Sequence, residues 1–303
     1  MYIKKVIKKI INKKKNLLIS LKILKVLIKK EGLFVATIHL VNYFFYIFFN
    51  NKIHIDTPLE KYKKFLSAEI VSKTNKKIIS GSYESVYLNY ESHWNISDFS
   101  SKLLGFYEQQ VQEKIIELQK KYNLTNIINI GAGEGYHIVS LIKNKFFEKG
   151  LAYEIDTKGQ NIIKKNLLDN NISDKVSVFG EGNFNSINNN LKNEELKKTL
   201  FLIDIEGNEF KFFNEENINY FNKSFFIIED HSDLNVDYKN ELEKKFFNMI
   251  KNHFIVTTIK NQGRNPFSIP ILEKYTDDER YLMMSEGRPN DMQWLVLEPK
   301  VIN

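Results

Sequence analysis

The sequence predicts an α/β fold, a Rossmann-like doubly wound and mostly parallel sheet, behind an N-terminal helical arm. Three observations carry that prediction. From about residue 103 onward, short apolar runs alternate with segments of helical periodicity. A glycine-rich turn, Ile130-Gly-Ala-Gly-Glu-Gly-Tyr136, falls between the first apolar run and the first helical segment. The positive charge is confined to the start of the chain, where the first 30 residues hold eleven lysines and no acid. The 303-residue chain is formally +7, but residues 31–303 contain 33 basic against 37 acidic side chains.

Residues 1–50 read as a basic amphipathic helical arm. Ile10, Ile11, Leu17, Leu18, Leu21, Leu24, Leu27 and Ile28 recur at roughly helical spacing among the lysines. Such a pattern suits an anionic membrane surface at least as well as nucleic acid. The apolar stretch Leu33–Phe49 has 17 residues and contains Thr37, His39 and Asn42, at the lower edge of spanning length. It leaves three readings open: a span, an interfacial helix, or an apolar helix packed on the fold. A span would hold the lysines in the cytoplasm and export everything after it. Residues 51–101, with turn formers at Ser80-Gly-Ser82, Asn95, Ser97 and Asp98, read as a loop-rich linker or lid. Residues 102–303 read as the α/β domain.

Within that domain the expected order begins with a helix over 103–121. Strands are expected at Ile127–Ile130, Leu151–Glu154, Val176–Phe179, Leu200–Ile203, Phe225–Ile228 and His253–Thr258. Helices between them are marked by Ile138/Leu141/Ile142, Ile162/Ile163/Leu167 and Leu242/Phe246/Ile250. The alternation implies right-handed crossovers and helices on both faces. After about thirty irregular residues, Trp294–Leu297 is expected to return as an antiparallel edge strand. The absence of cysteine excludes disulfides, thiolate metal sites and a thiol nucleophile, and fits a reducing cytosol. The expected location is cytoplasmic, peripheral to the inner face of the membrane.

The spacing of the glycines separates two cofactors. The dinucleotide fingerprint needs its third glycine five positions after the first, and that position is Tyr136. Gly131, Gly133 and Gly135 follow the tighter G-x-G-x-G form used around the methionine moiety of S-adenosylmethionine. Glu154, at the end of the next strand, can accept hydrogen bonds from both ribose hydroxyls. Asp156 is its rival and is expected to start the following turn. Glu181, in Gly180-Glu-Gly-Asn183, is placed to meet an adenine ring, and Asp204, after the fourth strand, completes the cofactor set.

These residues resemble the FkbM-like branch of class I S-adenosylmethionine-dependent methyltransferases. The resemblance covers residues 102–298 and rests on Asn129–His137, Tyr153-Glu-Ile-Asp156, Asp204-Ile-Glu-Gly-Asn-Glu209 and Ile228-Glu-Asp-His231. Leu103–Glu108 and Ser285–Pro289 resemble further elements of the family, the first of them one that helps to close the cofactor site. Where the family usually has an aspartate before Ile-Gly, this chain has Asn129. The resemblance implies O-methyl transfer, commonly to a sugar hydroxyl of a surface glycan or to a related small metabolite.

Methylating an alcohol requires a general base within hydrogen-bond reach of the acceptor. His231 is the first candidate and Glu206 the second, both just past strands at the carboxyl edge. Asp204, Glu206, Glu229 and His231 could together take a divalent metal, although no metal is assigned. The motif Asp/Asn-Pro-Pro-Tyr/Phe of enzymes that methylate nucleobase amines is replaced by Asp204-Ile-Glu-Gly207, which argues against a nucleic-acid acceptor. The 260–291 stretch, with Arg264, Arg280 and Arg288, is expected to bind the acceptor. The competing reading is a non-catalytic, membrane-docked scaffold that keeps the fold.

Overall fold

The structure, a computed structural model, describes residues 28–29, 32–49, 55–89, 91, 98–231, 241–288 and 292–300, with backbone only for 43–49. Most of the lysine-rich arm, residues 1–27, lies outside the described residues, as do Asn95 and Ser97. The chain divides into two compact units, Met1–Phe65 and Leu66–Asn303.

In the first unit, Leu33–Phe49 is helical, with Leu33 and Phe34 exposed and Ala36 buried. Asn42 pins the chain that follows, donating from Nδ2 to the Ile55 carbonyl and accepting the Ile55 N–H on Oδ1. The stretch read as loop-rich contains a 17-residue helix, Pro58–Thr74. Its start is a capping box with proline in the first turn: Thr57 N–H donates to Glu60 Oε2 at 2.6 Å, and Glu60 N–H to Thr57 Oγ1 at 3.2 Å. The turn formers from Ser80 onward lie beyond this helix. No helix among the described residues is long and apolar enough to cross a membrane.

The second unit is built on a seven-stranded sheet in the order β3-β2-β1-β4-β5-β7-β6. The strands are β1 (Asn126–Ile130), β2 (Lys149–Tyr153), β3 (Val176–Phe179), β4 (Thr199–Ile203), β5 (Phe225–Asp230), β6 (Phe254–Lys260) and β7 (Gln293–Pro299). β1 to β5 are parallel, while β7 runs antiparallel to both β5 and β6. This is the Rossmann-like, doubly wound fold. Side-chain alternation along the strands makes two cores. Ile127, Ala152, Leu200, Leu202 and Ile227 face one, with helices Gln109–Tyr122, Tyr136–Lys143 and Thr157–Asp169. Ile128, Ile130, Phe201, Ile203 and Phe226 face the other, with Phe184–Asn190, Ile218–Phe221 and Leu242–His253. Each fully buried Leu, Ile or Phe contributes roughly 1.5–3 kcal/mol, so the sheet is stabilised from both sides.

Three expectations need correction. The helix over 103–121 is two helices, Phe99–Leu103 and Gln109–Tyr122, interrupted at Gly105 (φ +85°) and Glu108 (φ +49°). A Cβ at Gly105 would lie 2.1 Å from the Ser80 carbonyl oxygen, so the break is where this segment touches the preceding turn. The irregular stretch before the last strand holds the helix Asp277–Met284, started by a second capping box between Thr276 and Glu279. Finally, β7 is antiparallel but not at the edge. Trp294–Leu297 is buried throughout, and β6, half exposed along its length, takes the outer position.

Candidate active site

β1 to β4 are neighbouring parallel strands, so the turns leaving their carboxyl ends share one edge. The N–H groups of Gly131 and Ala132 both donate to the Tyr153 carbonyl, at 2.9 and 3.0 Å, which folds the glycine loop over β2. All three loop glycines have positive φ, +78° at 131, +56° at 133 and +83° at 135. Their surroundings differ. A Cβ at 131 would sit 1.6 Å from the Asp204 carbonyl oxygen, so this glycine lets two strand-end turns touch. Gly135 caps the helix Tyr136–Lys143, and a Cβ there would press on Val139 and Ile163. Around the Cβ position of Gly133 there is nothing within 4 Å.

Gly133 N–H donates to Glu154 Oε2 at 2.8 Å, and Asp156 N–H to Glu154 Oε1 at 2.9 Å. The buried Glu154, immediately past β2, therefore ties the glycine loop to the neighbouring turn. Carboxylate oxygens accept more than one donor each, so this anchoring is compatible with a ribose contact. Asp156 is the helix cap, accepting the Lys158 N–H at 2.7 Å. Glu181 is exposed beyond β3, with Asn183 Nδ2 donating to its Oε2 at 3.3 Å. Asn129 is buried in β1 and donates to the Leu202 carbonyl at 3.4 Å, a bond that an ionised aspartate could not make.

Across the edge, Asp204-Ile-Glu-Gly-Asn-Glu209 forms a tight turn with positive φ at Glu206 (+53°) and Gly207 (+93°). Glu209 folds back so that its Oε1 accepts the N–H groups of Ile205 (2.9 Å) and Gly207 (3.2 Å). The same oxygen lies 3.0 Å from His231 Nδ1, just beyond β5. Burial alone would raise the Glu209 carboxyl, but the His231 contact and the backbone donors bring it below the ordinary range. An ionised carboxylate only accepts, so Nδ1 carries the proton and Nε2 faces the carboxylates opposite. Nε2 stands 3.7 Å from Asp204 Oδ1, 3.7 Å from Glu206 Oε2 and 3.6 Å from Glu229 Oε2. Burial disfavours the imidazolium, yet Glu209, Glu229 and Glu206 outweigh it and raise the His231 pKa. The Asp204 carboxyl is pushed well up by burial and by Glu229. Its side chain is 31% exposed, but Oδ1 itself is buried.

The structure thus brings His231 and Glu206 together. It joins to them Asp204, expected on the cofactor side, and Glu209, which lay in a motif but was given no role. The turn geometry supplies the missing signal: positive φ at 206 and 207 is what lets residue 209 reach back to residue 231.

The arginines expected to meet an acceptor are turned onto the protein. Arg288 donates to Glu229, to Glu108 and, at 2.5 Å, to Glu286 Oε2. Arg264 donates to Glu286 and to the Met284 carbonyl, and Arg280 to the carbonyls of Leu272 and Glu273. A guanidinium withdrawn from water needs its donors matched; carboxylates match those of Arg288, while Arg264 Nε is buried without a partner. Glu108 continues the network, with Oε2 2.8 Å from His137 Nε2, while His137 Nδ1 meets the Tyr83 hydroxyl at 2.9 Å.

Burial would raise the Glu108 carboxyl, but Arg288 first, then His137 and the Tyr107 hydroxyl, hold it at about 2. Its backbone N–H also donates to Glu286. A carboxyl depressed in the fold contributes stability that is complete above its unfolded value of ~4.3 and is lost as pH falls toward 2. The gap corresponds to about 3 kcal/mol. Urea unfolding at a series of pH values should show a steep loss over this window in the wild type and a shallower one in Glu108→Gln. Equal slopes would show that this carboxylate is not what the acid limb reports.

No family model and no curated protein matches the chain. The solved structures it resembles include methyltransferases. The Bacillus cereus O-methyltransferase in complex with SAH is 12% identical, with 86% of this chain and 97% of that one covered, at a TM-score of 0.43. The O-methyltransferase TomG from Streptomyces achromogenes, in complex with SAM, is 10% identical over 86% of this chain and 96% of that one, at 0.43. The B. subtilis M1A22 tRNA methyltransferase TrmK is 12% identical over 62% and 64%, at 0.41. At such identities and TM-scores these likenesses carry no functional inference, and the reading of function rests on the chain's own residues.

Proposed function

We propose that this protein is an S-adenosylmethionine-dependent methyltransferase that acts on a hydroxyl group, with a sugar hydroxyl of a surface glycan or related metabolite as the acceptor class. The observation that carries the reading is the open space at Gly133, on a glycine loop tied to Glu154 and leading into a helix N-terminus. Gly131 and Gly135 shape the loop, and Gly133 leaves room for the ligand. Glu154 is assigned to the ribose, Glu181 to the adenine, and Asp204 to the boundary between cofactor and acceptor.

Bound S-adenosylmethionine supplies an electrophilic methyl group. The chain's task is to hold the acceptor oxygen in line and to take its proton, and positioning alone accounts for much of such catalysis. With the cofactor's methyl group presented to an acceptor hydroxyl, the His231–Glu206 pair would take the hydroxyl proton. Titration calorimetry tests the reading: S-adenosylmethionine or its demethylated product should bind in the micromolar range. Tighter binding of NAD would overturn it.

The arm, residues 1–50, is assigned to an anionic membrane surface, on the support of its lysines and of Leu33 and Phe34, exposed at 68% and 69%. Each lysine near such a surface contributes up to ~1 kcal/mol. A chain beginning near residue 55 should lose binding to vesicles rich in phosphatidylserine and keep cofactor binding. Equal partitioning of the two chains would remove the membrane role.

A further inference from the structure

We infer that Lys102 is a positioning residue of the glycine loop: its ammonium holds the carboxylate of Glu134, the residue between Gly133 and Gly135, and so fixes the turn that presents Gly133 to a ligand. The inference rests on the S-adenosylmethionine reading of that loop. Lys102 belongs to the short helix Phe99–Leu103, ahead of the first strand, and its side chain is 5% exposed. Its Nζ bonds to Glu134 Oε1, lies 3.3 Å from Asp98 Oδ2 and stands 4.6 Å from the centre of the Tyr107 ring. Burial alone would favour the neutral amine, but Asp98 and Glu134 outweigh it and hold the lysine charged, above its ordinary range. The result is a cation enclosed by two carboxylates and an aromatic face.

Three grips hold the loop. Gly133 N–H donates to Glu154, the Glu134 carbonyl accepts Asn166 Nδ2 at 2.9 Å, and the Glu134 carboxylate meets Lys102. The first two come from the end of β2 and the helix after it, Thr157–Asp169. The third comes from the segment before the first strand, which is itself seated. Ser100 Oγ donates to the Met283 carbonyl at 2.8 Å, and Tyr107 packs edge-on against Tyr136, the first residue of the helix after the loop, at 5.3 Å. Stability does not explain the choice of lysine. A buried ion pair is on balance no more stabilising than apolar side chains of similar volume, because both charges lose their water. What it adds is direction: an apolar side chain at 102 would fill the space, but a charged donor also fixes where the Glu134 carboxylate comes to rest. Gly133 needs that help, since nothing lies within 4 Å of its Cβ position to hold it by packing.

The test compares the whole wild-type chain with Glu134→Gln and with the triple variant Asp98→Asn/Lys102→Met/Glu134→Gln, which removes all three charges and keeps the volumes similar. Calorimetry with S-adenosylmethionine reads affinity, while circular dichroism and thermal unfolding read the fold. The triple variant should melt near the wild type and bind ~10–100-fold more weakly, within the range of coupled neighbours. Glu134→Gln should show a loss of similar size, because the pair acts as a unit. A weaker affinity at an unchanged midpoint is what a merely structural contact would not give. Wild-type affinity in either variant would overturn the inference and leave the cofactor reading intact. Failure of the triple variant to fold would also overturn it, by making the three charges a structural staple. A wild type that binds no S-adenosylmethionine would instead sink the methyl-transfer reading, and this inference with it.

Discussion

Gly133→Arg should abolish binding of S-adenosylmethionine and leave the protein folded, with a thermal midpoint near that of the wild type. The position has room for a side chain, because no atom lies within 4 Å of where its Cβ would be. Its φ of +56° costs a non-glycine residue only about 1–2 kcal/mol. What the arginine removes is the volume assigned to the ligand. Gly131→Ala provides the contrast from two residues away. Its new methyl group would lie 1.6 Å from a backbone carbonyl oxygen at the strand edge, which cannot yield without moving β4. That change should cost about 3 kcal/mol or more in stability. Calorimetry and thermal unfolding of the two variants separate a ligand-facing glycine from a packing glycine. Wild-type affinity in Gly133→Arg would mean that the cofactor sits elsewhere.

The second large effect concerns the acceptor side. Glu206→Gln should lower methyl transfer by ~10²–10⁴-fold, the usual share of general acid–base catalysis. His231→Ala should fall by a similar factor, and cofactor affinity should barely change in either. A mild Glu206→Gln together with an inactive His231→Ala would give the role of base to the imidazole alone. Near-wild-type turnover in both would place the chemistry on other residues.

β1, β4 and β5 were legible as runs of mostly apolar buried residues, as in Ile127–Ile130 and Leu200–Ile203, whereas β2 and β3 are only partly buried and were legible from short apolar stretches at Leu151–Tyr153 and Val176–Phe179. The helices that escaped notice were announced by their caps rather than by their faces. Thr57-Pro-Leu-Glu60 and Thr276-Asp-Asp-Glu279 are both capping boxes, but the segments after them are too polar to show a clear apolar stripe. At the site, the motif Asp204–Glu209 was visible as a motif, yet the role of Glu209 depends on a backward turn that spacing does not reveal. The arginines show the opposite failure. Their composition suggested a ligand, but whether a guanidinium faces solvent or closes on Glu108, Glu229 and Glu286 depends on partners distant in sequence.

The position of β7 bears on how the chain assembles as it is made. Among the described residues β6 pairs only with β7, and β7 is synthesised some thirty residues after it. During vectorial synthesis the parallel strands β1 to β5 can therefore close on their helices while β5 still presents an open edge and β6 has nothing to join. Such an edge is a template for pairing with another chain, and long-range pairings of this kind form slowly. Aggregation of nascent chains is thus most exposed in the interval between translation of β5 and of β7, and arrival of the final strand both completes the sheet and covers the edge.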